Sequence, residues 1–504
     1  MKSMLNRFFA ALVAVLALSI SACNPVIGPE EPGENPNTIT LTVSPETISL
    51  FAVESQATVQ VTTNATSWSY IDAASWLTIE KEGNTLVLTA RENKSEDPRR
   101  CELVVFATSG DNRAEKTIFV TQKGANDLSQ GEASMFECEV FEELMLSSYD
   151  SNGDGVISDA EAALVTEIDV EWTSENAEER SVISSLKGIK IFKNLKNLYC
   201  SNNLITTLDV SGMEKLEFIE CPYNEMTSLN ASNCPSLKWI YCYSNDLKTL
   251  NIYGSNNLVI LQAYKNKLTS INVSGMKELV YFDVLMNELR DVDFSNCPEL
   301  LVAAVGGNNL TSLNLKGLPK LYTLGCYENN ITSLDLSELP ELEMLECYTN
   351  NLLELDLSAN KKLVTLNCQN NLLANLNIEG CTALSTLNCG NNFLEGALDL
   401  SAYTSLKHLN CGGNKFSSIN VTASTLLEDI DCANTNITEL DVTTLTALKS
   451  LKANDCQLTV MDCSNNLNLN TLYLQGNPLT SLILAEGQGI GDLKIDNYDV
   501  ISYK

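Results

Sequence analysis

Residues 195–203 read Leu-Lys-Asn-Leu-Tyr-Cys-Ser-Asn-Asn, and residues 216–224 read Leu-Glu-Phe-Ile-Glu-Cys-Pro-Tyr-Asn. Leu195, Leu198, Cys200 and Asn203 of the first stretch match Leu216, Ile219, Cys221 and Asn224 of the second, 21 residues on. The Cys position then recurs at 242, 263, 284, 305, 326, 347, 368, 389, 411, 432, 453 and 474, with one extra residue near Gly396. All fourteen copies have Leu five residues before it, and twelve have Asn three residues after it. No single helix or strand has such a period; it predicts a solenoid with one coil per repeat. Strand alternation turns Leu198 and Cys200 inward and Asn197, Tyr199 and Ser201 onto a concave face. Ile205, Leu208 and Val210 also point inward, and so short a unit leaves room for strand or 3₁₀ turns rather than a convex helix.

The Asn column has a chemical reason, since its amide offers two donors and an acceptor to backbone groups left bare where the strand turns. Thr435 and Cys456 interrupt it in consecutive repeats, which predicts the least regular neighbourhood there. Nine of the 17 cysteines, Cys200, Cys221, Cys242, Cys326, Cys347, Cys368, Cys389, Cys411 and Cys432, share the ladder position. Equivalent side chains on parallel strands about 4.8 Å apart point the same way, which is poor disulfide geometry. They are expected to be reduced, buried, small apolar residues, a role also open to Ala263, Val284, Val305, Ala453 and Leu474.

These repeats resemble leucine-rich repeats, specifically the cysteine-ladder kind of internalin-like proteins, over about residues 186–484. The resemblance implies a mainly β fold, a right-handed solenoid of 21-residue repeats over 191–484, with 485–504 as a C-terminal cap. It also implies that the concave face binds protein.

Ahead of the repeats, Lys2 and Arg7 precede an apolar run from Phe8 to Ile20 that ends in Ser21-Ala22-Cys23. A run that short with a basic flank predicts an export signal over 1–22. Its ending resembles a bacterial lipobox, which implies cleavage before Cys23 and a lipid on the Cys23 thiol. The expected location is the cell envelope, lipid-anchored on an outer membrane facing the exterior, with the lipid as the only membrane contact. The Pro-rich stretch 23–37 is expected to be a disordered tether. From 38 to 124, short alternating runs such as Thr58-Val59-Gln60-Val61 and Leu103-Val104-Val105-Phe106 predict a β-sandwich. Trp68, Trp76, Asn93, Arg99 and the closing Thr117–Gln122 segment resemble the BACON family. The family implies either carbohydrate binding or a spacer, and burial in the core accounts for both tryptophans.

After the linker 125–133, the stretch 134–190 is expected to be a small helical cap. Within it Asp150, Asn152, Asp154, Gly155, Val156, Ser158 and Glu161 resemble an EF-hand loop, D-x-[DN]-x-[DN]-G-x5-E. The resemblance implies one structural calcium, held by Asp150, Asn152, Asp154, the Val156 carbonyl, Ser158 and a bidentate Glu161. A capped Asp/Asn turn is the competing account. A calcium clip would close the exposed end of the solenoid.

Composition narrows the function. There are 32 basic against 64 acidic residues, a net charge of −32, which repels phosphate backbones and makes nucleic acid an unsuitable partner. His408 is the only histidine, which removes His-dependent dyads and His metal sites. Glu220 and Asp283 are three coils apart, about 14 Å, too far to cleave a glycoside together. No enzyme is therefore expected. The concave register, taken three and one residues before the Cys position and one and two after, is more informative. Its 32 positions in the first eight repeats hold ten aromatics: Tyr199, Phe218, Tyr223, Trp239, Tyr241, Tyr243, Tyr264, Tyr281, Tyr327 and Tyr348. The 24 positions of the last six repeats hold only Tyr473, so strand propensity explains the count but not the clustering. These residues are expected to form an exposed patch that a monomer uses to bind a protein, or alternatively a glycan.

Overall fold

The computed structural model describes residues 39–124, 136–173 and 182–504, apart from 51, 53, 72, 73, 96 and 111. The export signal, Cys23, the tether and the linker 125–133 lie outside the described residues. The chain divides into two units, Met1–Ala133 and Ser134–Lys504.

In the first unit, Thr85–Ala90 alternates partly and fully buried residues, the period that one covered sheet face imposes. It lies between Ser55–Thr63 and Leu77–Glu82 in a four-stranded sheet completed by Leu41–Ser44. A second sheet orders Thr47–Leu50, Asn112–Gln122, Arg99–Ser109 and Ser67–Ile71. Val59, Leu86 and Leu88 of one sheet and Leu103, Val105 and Ile118 of the other belong to one fully buried cluster. Trp68 and Trp76 are half-buried at its margin, with the Lys81 ammonium 3.7 Å from the Trp68 ring centre and the Arg99 guanidinium 4.7 Å from that of Trp76. Each ring thus has a cation on one face, an attractive arrangement.

The second unit opens with the helix Glu139–Tyr149, whose Phe141 and Met145 are buried. Phe136 and Tyr149 meet Phe192 with ring centres 6.4 and 5.9 Å apart, so aromatic side chains cover the first coil's core. The only other α-helix among the described residues is the single turn Asp159–Ala162.

Sixteen parallel strands follow, most of three residues, running from Glu167–Asp169 to Asp492–Lys494. Repeat spacing places the sheet within 191–484, so the structure extends it by one strand at each end. Ile168 and Val170 stand where later coils have Leu and Cys, but the connection to Asn197–Tyr199 exceeds one repeat and hides the periodicity. On the convex side the chain makes short strand pairs and turns, such as Thr207–Asp209 with Ser228–Asn230.

Each coil turns by the same device. The residue two past the Cys position adopts a left-handed conformation, with φ of 54° at Tyr223, 53° at Lys265 and 50° at Glu328. The next side chain, Asn, then swings inward. Asn224 donates to the carbonyls of Cys221 and Pro222 at 3.2 and 3.3 Å and to Cys200 of the preceding coil at 2.9 Å, while its own carbonyl accepts the Ile205 amide at 3.0 Å. Each amide thus stitches two coils together.

The expected irregularity at Thr435 and Cys456 is absent. The Thr435 hydroxyl and the Cys456 thiol both donate to the Cys432 carbonyl, at 2.8 and 3.3 Å, and the strands Asp429–Asp431 and Ser450–Lys452 stay in register. The register shift falls instead between Gly396 and Ala397 on the convex side, which absorbs the extra residue.

All nine ladder cysteines are fully buried free thiols. Burial pushes the Cys326 and Cys389 thiols up to about 12, so they stay protonated and unreactive at neutral pH. A thiol reagent is accordingly expected to label few cysteines in the native protein and most of them after denaturation. Ladder disulfides in a mass map of the native protein would contradict this.

A second internal column has no counterpart in the sequence reading. Cys234, Ser255, Asn360 and Asn466 donate to Val210, Ala231, Leu336 and Val442 at 3.2, 2.7, 3.0 and 2.9 Å, each reaching 24 residues back as the Asn column does. Cys297, Cys381 and Ser424 follow the same rule. The signal was hidden because thiol, hydroxyl and amide alternate there with Met and Leu, so no one hydrogen-bonding residue type occupies the position in successive coils.

Candidate functional site: the concave aromatic face

In-register pairing sets Phe218 beside Trp239 and Glu220 beside Tyr241 on neighbouring strands. The outward rings therefore meet their neighbours one coil away. Tyr199 and Phe218 have ring centres 5.2 Å apart, Phe218 lies 6.4 Å from Trp239 and 5.4 Å from Tyr241, and Tyr223 meets Tyr243 edge-on at 5.5 Å. Tyr243 and Tyr264 stack in parallel at 4.5 Å. Tyr281 has a different partner, its hydroxyl donating to the Asp283 carboxylate at 3.4 Å. Farther along, Tyr327 and Tyr348 stack at 4.6 Å, and a side chain at Gly306 would meet the Tyr327 ring at 2.8 Å. The small residues Ala304, Gly306 and Gly325 thus separate two aromatic groups.

The rings are less open than expected. Tyr223 is 54% exposed, but the other nine are half-buried, and for all of these except Tyr281 a ring one coil away provides part of the cover. They present edges and hydroxyls rather than flat surfaces. Burial, aided by nearby carboxylates, pushes the Tyr241 and Tyr327 hydroxyls up to about 12, so they remain neutral hydrogen-bond donors. Two carboxyls sit low among them. Asp283 is 5% exposed and Glu346 3%, and burial raises both to about 7. Asp283 accepts the Leu285 amide as well as the Tyr281 hydroxyl, whereas the Glu346 carboxyl accepts no hydrogen bond among the described residues. Glu220 is raised too, by burial first and then by the charges of Glu171 and Asp169.

The far half differs. His408 donates its Nδ1–H to the Asp429 carboxylate at 2.8 Å, Lys452 lies 3.9 Å from Asp431, and Lys494 lies over the Tyr473 ring at 3.8 Å. These ionisable side chains find partners within the face itself.

The loop 150–161 is built from the residues named in the sequence, but its oxygens serve the loop. Asp150 accepts the Gly153 and Gly155 amides at 2.7 and 2.8 Å, Asn152 accepts that of Asp154 at 2.8 Å, and Asp154 accepts that of Val156 at 3.0 Å. Glu161 accepts the amides and hydroxyls of both Ser151 and Ser158, which holds its carboxyl down at about 2. With Ser158 it forms a reciprocal helix cap. The donors suit a hard cation in kind, being oxygens with three carboxylates among them. They do not converge, and no group of three acidic, His or Cys side chains placed to hold a metal occurs among the described residues.

Three-residue parallel strands, an inward Leu and Cys, and an Asn that turns each coil define a leucine-rich-repeat solenoid. The structure is similar to the functional domain of InlJ from Listeria monocytogenes, which includes a cysteine ladder: 30% identity, a TM-score of 0.54, covering 65% of this chain and 69% of that one. The chain belongs to the cysteine-ladder leucine-rich-repeat proteins. YopM of Yersinia pestis, a leucine-rich effector, shares the fold at 20% identity with a TM-score of 0.53, covering 71% of this chain and 97% of that one. No protein-family profile matches the sequence, and neither does any curated protein.

Proposed function

We propose that this is a lipid-anchored protein of the cell envelope whose solenoid binds a protein ligand through the aromatic half of its concave face. The observation that carries the reading is the chain of ring contacts from Tyr199 through Phe218 to Trp239 and Tyr241, and from Tyr223 through Tyr243 to Tyr264. Such rings offer apolar edges and neutral hydroxyl donors together, the combination typical of binding hot spots. Half-buried rings are also pre-ordered, which lowers the entropy lost on association. Cys23 would carry the anchor, and the first unit would act as a BACON-like spacer. The glycan alternative draws on that unit, but one face of Trp68 and one of Trp76 already carry a cation. Chemistry catalysed by the face is not part of the reading.

Full-length protein tested against a panel of purified extracellular proteins and a panel of glycans separates the two readings. Protein partners are expected; glycan partners alone would favour the alternative.

Calcium at Asp150 to Glu161 belongs to the same proposal as a structural clip. Binding would require Glu161 to release Ser151 and Ser158. Chelation is then expected to lower the melting temperature and speed hydrogen exchange at Glu167–Asp169, and Glu161→Ala to abolish the calcium response. An unchanged melting curve in chelator leaves the capped turn.

A further inference from the structure

The solenoid satisfies its lateral charges from coil to coil. Lys320 lies 2.6 Å from Glu299 and Lys362 2.6 Å from Glu341, each pair 21 residues apart, so a carboxylate in one coil meets a lysine in the next. Along the concave face up to Thr349 this rule is suspended. Strand positions there supply Glu220, Asp283, Glu328 and Glu346, yet the one lysine in the same register is Lys265. None of these four carboxyls forms an ion pair among the described residues. In the far half a lysine again meets a carboxylate, Lys452 lying 3.9 Å from Asp431, and the His408 ring hydrogen-bonds Asp429.

Glu346 supplies an independent observation. It is 3% exposed, lies on the strand Met344–Glu346 two residues before Tyr348 and near enough to Tyr327 to raise its hydroxyl, and accepts no hydrogen bond among the described residues. A buried carboxyl without a partner is costly, and a cation brought to it would remove that cost. The neighbouring tyrosine hydroxyls add attraction, because their oxygens can accept a hydrogen bond from a cationic donor.

We propose that the occupant of the aromatic half of the face is a segment of a partner protein rich in arginine or lysine. This rests on the protein-binding reading and specifies the partner's chemistry: the lysines missing from the face are those the ligand brings. Charge complementarity selects a cationic over an acidic or neutral segment, because an acidic one would face four uncompensated carboxyls. Arginine suits the site better than lysine, since its planar fork matches carboxylates.

The test uses the full chain and two synthetic peptides, repeats of Gly-Ser-Arg and of Gly-Ser-Gln, titrated at about 0.15 M salt. The whole protein is acidic, so the decisive comparison is between two variants of equal charge. One carries Glu220→Gln, Glu328→Gln and Glu346→Gln on the face; the other carries Glu214→Gln, Glu278→Gln and Glu354→Gln, all exposed and off the face. The expected result is that only the arginine peptide binds and that the face variant loses at least about tenfold in affinity. The off-face variant should stay within about twofold, by the same salt-screening argument. Equal losses in both variants, or equal binding of the glutamine peptide, would overturn the inference. A protein partner that depends on Trp239 but ignores the face variant would also overturn it, while leaving the protein-binding reading intact. Removing charge at Glu346 should not unfold the protein, and its melting curve checks that.

Discussion

Asn308→Ala is expected to destabilise the middle of the solenoid by about 2–3 kcal/mol, because one buried donor left without a partner costs about 1–3 kcal/mol and the lost second bonds to three carbonyls add to it. Asn308 is 7% exposed and donates to the carbonyls of Val284, Val305 and Gly306 at 3.0, 3.0 and 3.2 Å, while accepting the Leu289 amide at 3.0 Å. Alanine leaves the Leu289 amide without an acceptor and removes one of two donors from each carbonyl, since Val284 keeps Asn287, Val305 keeps Asn329 and Gly306 keeps the Met286 amide. Stability in a solenoid is carried by contacts between successive coils, so the loss is expected as an earlier urea transition in hydrogen exchange centred on these coils. Asn308→Thr should lose about half as much, since a single donor survives. The chain itself supplies the precedent at Thr435, whose hydroxyl reaches the Cys432 carbonyl. A change below about 1 kcal/mol for the alanine variant would mean that the Asn column does not hold the coils together.

The second large effect is on pH. Asp283 and Glu346 are held near 7 by burial, against ordinary carboxylate values of 3.8 and 4.5. The folded chain therefore binds protons that the unfolded chain has released, and folding stability falls as pH rises from about 4 to 7 before levelling off. A shift of about three units at Asp283 corresponds to about 4 kcal/mol across that window. The opposite dependence comes from groups such as Glu161, Asp335 and Asp356, whose carboxyls are held below their ordinary values by hydrogen bonds. Their stabilisation is present above pH of about 4 and is lost on further acidification. The melting temperature should therefore pass through a maximum near pH of about 4 to 5. Asp283→Asn with Glu346→Gln should flatten the arm between about 5 and 7 without moving the acid arm. A melting temperature that climbs from pH of about 5 to 7 would contradict the burial of these two carboxyls.

The solenoid was legible in the sequence because its interior is written in a few residue types at a fixed interval. Leu195, Cys200 and Asn203 each recur, and each recurrence has a physical cause. What escaped detection lacked one of those conditions. The strand Glu167–Asp169 uses Ile168 and Val170 inside a longer connection, so spacing conceals it. The second column mixes Cys234, Ser255 and Asn360, which share a hydrogen-bonding role but not an identity. Thr435 and Cys456 looked like a break because identity was read in place of function. The candidate face was legible as a register of aromatics, whereas their mutual cover was not. Pair distances between coils depend on rotamers, which the alternation rule leaves open.

The proposal that this face is the binding surface rests most heavily on Trp239, which joins Phe218 in the ring cluster and carries Lys238 5.6 Å from its ring centre. The most direct measurement is the dissociation constant of an extracellular protein partner for Trp239→Ala and for Asn388→Ala, the latter on the polar half of the face. Truncating a hot-spot aromatic costs at least about 2 kcal/mol, so Trp239→Ala should bind about thirtyfold more weakly, with Asn388→Ala unchanged and both proteins folded. Equal losses at the two positions, or full affinity in the Trp239→Ala protein, would contradict the account.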